Sequence, residues 1–242
     1  MQNPFFVGLP FSTMNARTNA LLNSLPEPEL QAMSRHLELV SLEKGQTLFC
    51  TGEIPRHVYY PVGAIVSMMN DADDGLMTET FMLGNACMVG AGTLGQPSFY
   101  RASVRSSGLA YRMPVMALEG LRTQCPVYAQ ASMAAINRMI MQLSQTVVCS
   151  KRHPIDQQLI RWMLMTLDRG TGLRIEVTHQ ELSQILGFRR ESVTLQLNKM
   201  AIQQDIAIHR GMIEVVNRSA LEMRACECYW TGSQKIRPLR GR

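Results

Sequence analysis

The sequence predicts an α+β chain, with an N-terminal β-roll, one long helix and a C-terminal winged helix-turn-helix. Three stretches carry that expectation. Between residues 44 and 113, short β-branched and aromatic runs alternate with Gly, Pro and Asp, as in many short strands closing into a roll or barrel-like sandwich. Residues 126–150 form an apolar-periodic run without internal Gly or Pro. Residues 178–200, THQELSQILGFRRESVTLQLNKM, read as two short helices joined by a tight turn.

In chain order, residues 1–18 look like a loose lead. From Asn19, the run ALLNSLPEPELQAMSRHLELVSL predicts two short helices on either side of a turn at Leu25 to Pro28, with Pro28 in the first turn of the second. The stretches KGQTLFCTGE, HVYYPVGAIVSMMN, LMTETFML and YRASVRSSGLAYRM read as strands, and Asp73-Asp74-Gly75 reads as a hairpin turn. In the long helix, Ala129, Met133, Ile136, Ile140, Leu143 and Val147 recur at alternating steps of four and three. That is the a/d seam of a coiled coil and predicts a dimer, the alternative being a purely intramolecular amphipathic helix; Ala135, Met139 and Met141 supply a second apolar edge. Cys149 to Pro154 reads as a hinge, because Pro154 cannot continue the helix and restricts His153 before it. His153 is read as a hinge residue with no metal constellation around it. The next helix, Ile155 to Asp168, is expected to bury Ile155, Leu159, Trp162 and Met163. LRIEV pairs with IAIHRGMIEVVN, whose Arg210-Gly211 turn makes a wing, and one amphipathic piece from Arg218 to Tyr229 closes the domain.

Within 178–200, Thr178 and Glu181 form a T-x-x-E capping box and start a helix. Leu182, Ile185 and Leu186 fall on one face, and Gly187 frees the backbone to turn. The second helix, from Arg190 to Met200, buries Val193, Leu197 and Met200. Its N-terminal half presents Arg190, Glu191 and Thr194 on the opposite face. Arginine can bond O6 and N7 of guanine and glutamate can accept from N4 of cytosine; the plainer alternative is the solvated face of a helical hairpin.

A chain of 242 residues is long enough for two domains, each with its own core, and the expected boundaries set apart residues 19–125, a helix at 126–150 and residues 151–230. Hydrophobic residues at 46% exclude a disordered chain. No uninterrupted apolar run approaches about 18 residues and the start lacks a signal-peptide pattern, so a soluble cytoplasmic protein without membrane contact is expected. From Lys151 onward there are 15 Lys or Arg against 9 Asp or Glu, a balance of +6, whereas residues 1–150 hold 9 against 10. The basic excess favours a polyanionic partner for the C-terminal half. No nucleophile–base set, metal-binding His pair or P-loop points to an enzyme. Six cysteines, without a C-x-x-C pair, read as unreactive thiols, with oxidant sensing or metal binding at Cys226 and Cys228 as the alternative.

The residues Thr178, Gln180, Glu181, Gln184, Gly187, Arg190, Glu191, Ser192 and Val193 resemble the helix-turn-helix of the Crp/Fnr family of bacterial transcription regulators. The resemblance implies a homodimer that reads a pseudo-palindromic operator in double-stranded DNA and engages RNA polymerase. Arg190, Glu191 and Thr194 are then the base-reading candidates, and Thr178, His179, Arg189 and Arg210 the backbone-contacting ones. The seam residues Met133, Ile136, Ile140, Leu143 and Val147 would join the copies. Arg189 stands where the family usually has a Ser cap, and Leu195 where some members carry Arg. The spacing of Gly45, Gly52, Glu53, Tyr60 and Gly63 resembles the family's cyclic-nucleotide-binding fold, with its phosphate cassette at Val89 to Val104. Gly90 and the Arg101-Ala102 pair remain as an effector pocket, but Ala91 occupies the usual Glu position. Loss of that carboxylate forfeits about 1–3 kcal/mol of ribose recognition, so cyclic AMP is not expected, and no cofactor or metal is assigned. The competing readings are a ligand-binding regulator of this fold with no DNA role, and a thiol-switched regulator.

Overall fold

A computed structural model of the chain describes residues 16–71, 77–90, 95–121, 123–170 and 172–233. The chain packs as two compact units, residues 1–70 with 82–139 and residues 71–81 with 140–242. Among the described residues no helix is long and apolar enough to cross a membrane.

The first unit begins with α1 (Ala20–Asn23) and α2 (Glu27–Ser34). Asn19 caps α1, its side-chain oxygen accepting from the Leu21 and Leu22 amides. Its Nδ2 donates to the carbonyls of Pro61 at 2.9 Å and Cys87 at 3.0 Å, so a wholly buried amide has every polar atom engaged. As expected, a Pro lies in the first turn of α2. Two antiparallel sheets follow. One has the order β1-β7-β3, from β1 (Glu38–Leu42), β7 (Gly108–Pro114) and β3 (His57–Pro61). The other has the order β2-β6-β4-β5, from β2 (Thr47–Phe49), β6 (Arg101–Ser106), β4 (Ile65–Asp71) and β5 (Met77–Leu83).

The stretch HLELVSL, expected to be helical, contains β1. Leu39, Val40 and Leu42 are buried there while Ser41 is exposed, and the strand pairs with β7 from Glu38↔Arg112 to Leu42↔Gly108. Pairing along a whole strand outweighs a short helical periodicity. Gly108 is required where that pairing ends, because an added Cβ would stand 2.4 Å from the Ala64 amide nitrogen. A short helix, α3 (Val115–Leu121), also lay outside the sequence expectation. The Asp73-Asp74-Gly75 turn lies outside the described residues.

The long helix α4 (Pro126–Arg152) starts on a carboxylate. Glu29 accepts from the amides of Val127 at 3.0 Å and Tyr128 at 2.8 Å, satisfying two first-turn donors and complementing the helix dipole. One heptad row, Tyr128, Ala135, Gln142 and Cys149, is buried along the whole rod. Tyr128 also shares a 2.7 Å hydrogen bond with Tyr60 inside the first unit's core. A second row, Met133, Ile140 and Val147, is 60%, 55% and 54% exposed. Ile136 and Leu143 are half-buried between the rows, Ile136 and Met139 packing on the first unit's core. Met141, expected on the inner edge with Ala135, is instead 49% exposed, because it sits one position beyond the outward Ile140.

In the second unit α5 (Ile155–Leu167) is buried on every side from Gln158 to Leu167, as befits the central helix of a small domain. Ile155, expected to be buried, is only half-buried, since it lies in the first turn ahead of that stretch. Trp162 donates from Nε1 to Glu79 at 2.9 Å. A three-stranded antiparallel sheet has the order β8-β10-β9, from β8 (Arg174–Ile175), β10 (Met212–Val215) and β9 (Ile206–His209). Between β8 and β9 lie α6 (His179–Leu186) and α7 (Arg190–Ile202). The C-terminal piece, expected to be continuous, is α8 (Arg218–Arg224) and α9 (Glu227–Ser233). Extended backbone at Ala225, ψ 142°, breaks it. Arg218 ties both to α5 by bonding Asp168, Glu222 at 2.8 Å and the Tyr229 hydroxyl at 3.2 Å, while Tyr229 donates to Asp168 at 3.0 Å.

Candidate functional site

The helix pair α6 and α7 is set by local chemistry at both ends. The Thr178 hydroxyl accepts from the Glu181 amide at 3.1 Å, and the Glu181 carboxylate accepts from the Thr178 amide at 2.7 Å. This is the reciprocal box that the sequence spacing predicts. At the other end Gly187 adopts φ 69°, the left-handed conformation that costs other residues about 1–2 kcal/mol. The Phe188 amide then closes back on the Ser183 carbonyl at 3.0 Å. Leu182 and Ile185 of α6 are buried, as are Val193, Leu197 and Met200 of α7. His179 Nδ1 and the Thr194 hydroxyl share a 2.9 Å hydrogen bond that joins the two helices through side chains. Burial, then the charge of Arg190, lowers the His179 pKa from its ordinary value.

What remains exposed is the start of α7. Arg189 is its N-cap, with extended backbone and no capping side-chain bond, as the departure from Ser implies. Arg189, Arg190 and Glu191 are exposed. Among the described residues their side chains have no hydrogen-bond or ion-pair partner, and neither has Arg210 at the β9–β10 turn, where Gly211 takes φ 73°. Five other arginines of this unit are engaged by contrast: Arg161 with Thr146, Arg169 with Gln142, Arg174 with Glu214, Arg218 with Asp168, and Arg224 with Asp205. His209 pairs with Glu214 at 3.3 Å. Thr178 is exposed, whereas His179 and Thr194 are half-buried and spend their shared bond on each other. Leu195 is 54% exposed beside this face. Unpaired guanidinium and carboxylate groups on the first turns of an exposed helix can form bidentate bonds to base edges or phosphates.

Of the cassette residues, Gly90 has φ 91° and lies so close to β3 that a Cβ would meet the His57 carbonyl at 3.0 Å. Ala102 is wholly buried in the second sheet, opposite Phe49 and Met68. Arg101 is half-buried at the start of β6, opposite Met69. Ala91 lies outside the described residues.

Sequence reasoning assigns His153 no metal-ligating neighbour; the fold gives it three. Cys149, His153, Cys226 and Cys228 bring their ligand atoms within 4.8 Å of one another. The available signals were Cys149 and His153 one helical turn apart and the later Cys-Glu-Cys triplet. Separation by 77 residues of chain hides that the two meet.

A capped helix pair with a glycine turn, a β-wing and an open basic start to the second helix define a winged helix-turn-helix, a fold of the DNA-binding class. Residues 157–224 match the Crp-like helix-turn-helix domain. The chain is 23% identical over 222 residues to the global nitrogen regulator of Synechococcus elongatus, covering 87% of this chain and 99% of that one. It is 22% identical over 202 residues to a CRP-like cAMP-activated global transcriptional regulator of Mycobacterium tuberculosis, covering 79% of this chain and 87% of that one. Its fold is similar to a CRP-family transcriptional regulator from Thermus thermophilus, at TM-score 0.65 and 17% identity over 76% of this chain and 95% of that one. FixK2 from Bradyrhizobium japonicum gives TM-score 0.66 at 15% identity, covering 78% and 98%. Residues 157–224 are thus Crp-like in sequence, and the chain as a whole is similar to transcription regulators of the Crp/Fnr type.

Proposed function

We propose that the protein acts as a homodimer that reads a pseudo-palindromic operator through the exposed start of α7, in the cytoplasm and without cyclic AMP. The observation that carries this reading is the unspent hydrogen-bonding capacity of Arg189, Arg190 and Glu191, beside a family-typical turn. Arg190 and Glu191 read base edges; Arg189, Arg210 and Thr178 hold phosphates. His179 and Thr194 fix the angle between the helices, and Thr194 meets the duplex only from behind the first turn. The outward row Met133, Ile140 and Val147, with the half-buried Ile136 and Leu143, forms the seam between copies. Two-fold symmetry then spaces the reading helices about 34 Å apart. The bound complex presents RNA polymerase with a promoter-positioned partner. The pocket at Gly90, Arg101 and Ala102 accepts an anion other than cyclic AMP or has lost its ligand, since Ala91 offers no carboxylate to a ribose.

Selection of bound duplexes from a random pool, with and without cyclic nucleotides, tests these points together. A symmetric motif recovered equally under both conditions supports the proposal. Recovery of no motif, of an asymmetric one, or of one only with cyclic AMP refutes the corresponding part.

A further inference from the structure

At the C-terminal end of α4, three thiols and an imidazole converge with geometry that the DNA-reading function does not use. Cys149 Sγ and Cys226 Sγ are 3.8 Å apart, and Cys228 Sγ is 3.5 Å from His153 Nδ1. Around a tetrahedral ion with usual Zn–S and Zn–N bond lengths, a sulfur–sulfur edge is about 3.8 Å and a sulfur–nitrogen edge about 3.6 Å. The widest of the four ligand atoms are within 4.8 Å, so closure needs a movement of about 1 Å against those same edges. We propose that Cys149, His153, Cys226 and Cys228 bind one Zn2+ in a closed, structural site.

The surroundings fit the same ion. The other ring nitrogen of His153, Nε2, lies 3.2 Å from the Glu227 carboxylate. That carboxylate–histidine arrangement fixes the tautomer of a metal-bound imidazole. Gln145 donates to Cys228 Sγ at 3.2 Å, a bond that favours a thiolate ligand. None of the three cysteines is more than 3% exposed. Three thiolates around a divalent ion leave one net negative charge, and the cation nearest in effect is Arg161, whose charge acts on both Cys149 and Cys228. Arg161 is itself only 8% exposed, and its Nε has no hydrogen-bond partner. Among the described residues no carboxylate pairs with this buried guanidinium, which is costly by itself; a thiolate-rich metal centre would supply the counter-charge. Three thiolates with one imidazole select a soft, tetrahedral ion, and with four protein ligands no position is open for water. Ligand atoms this close suit one ion rather than a cluster of several.

Such a site clamps the last turn of α4 to the start of α9, so that metal binding is also folding of the C-terminal edge of the second unit. Elemental analysis of the full-length chain, purified under reducing conditions without chelator, is expected to find about one zinc per chain. The reduced, metal-stripped chain titrated with Co2+ is expected to develop tetrahedral d–d bands and thiolate charge-transfer absorption, saturating near one equivalent and displaced by Zn2+. Cys228→Ser and His153→Ala should abolish or alter those bands, whereas Cys50→Ser and Cys87→Ser should leave them intact. If the ligand variants do not fold, the titration of a Cys50→Ser/Cys87→Ser/Cys125→Ser chain isolates the three remaining thiols. Absence of tetrahedral bands in the reduced chain overturns the proposal. So does a spectrum that survives Cys228→Ser unchanged, or a Cys149–Cys226 disulfide in the isolated protein, which marks a thiol switch instead.

Discussion

The molecule offers two open surfaces of opposite chemistry. On α7 the exposed residues Arg189, Arg190 and Glu191 are charged and unpaired among the described residues, while on α4 the outward row Met133, Ile140 and Val147 is apolar. Burying charge without a partner is costly and exposing a continuous apolar stripe is unfavourable. On the proposed reading each surface meets a different kind of partner: a polyanion for the first and a second copy of the same helix for the second. Buried rows elsewhere on the same helices show what these positions look like when the chain satisfies them itself, as at Tyr128 and Ala135 on α4 or Val193 and Leu197 on α7.

The contrast can be broken most strongly on the apolar side. Ile140→Asp should place a carboxylate in the seam and give a monomer by analytical ultracentrifugation. Loss of the second half-site should then weaken operator binding by about 10²–10⁴-fold, although α7 is untouched. An Ile140→Asp chain that stayed dimeric would assign the stripe to something else. Next in size is Arg190→Ala, expected to cost about 1–3 kcal/mol of operator affinity and to relax discrimination at one base pair, with an unchanged melting temperature. Unaltered base preference in a binding selection would remove Arg190 from the reading face.

Gly187→Ala acts through the fold. The left-handed φ of 69° should make it destabilising by about 1–2 kcal/mol in chemical denaturation, with no change in which sequence is preferred. Arg189→Ala should weaken binding evenly across sequences and reduce the salt dependence by about one phosphate contact. The smallest effect is expected at His179. Its folded pKa lies below the ordinary 6.5, so its contribution to stability is complete above that value and is lost as pH falls through the lowered one. Thermal melts of the parent and His179→Gln should converge as the solution is acidified. A gap that widened toward acid would reverse the sign and place a favourable charged imidazole there.

Local chemistry explains which parts of this structure were legible from sequence. The capping box at Thr178 and Glu181, the turn at Gly187 and the buried positions of α7 depend on neighbours within a few residues, so their spacing alone located them. The wing was legible for the same reason. The strand β1 was not, because its helical-looking apolar spacing is overruled by pairing with β7, a partner far along the chain. The break at Ala225 was equally hidden, since nothing in the triplet Cys226-Glu227-Cys228 announces that its thiols face Cys149. Of the candidate DNA-facing residues, all but His179 and Thr194 are exposed without an intramolecular bond beyond the capping box. Sequence periodicity told which face they share, and only the fold showed that these two are engaged with each other.

The turn between α6 and α7 is built from main-chain and cap bonds, and the exposed side chains of Arg189, Arg190 and Glu191 that follow it make no hydrogen bond or ion pair among the described residues. On the proposed reading mount and message are therefore separable: replacing the first residues of α7 should change what is recognised without touching the framework that presents it. A regulator mounted in this way could then be retargeted by single substitutions at those positions while its scaffold stays as it is.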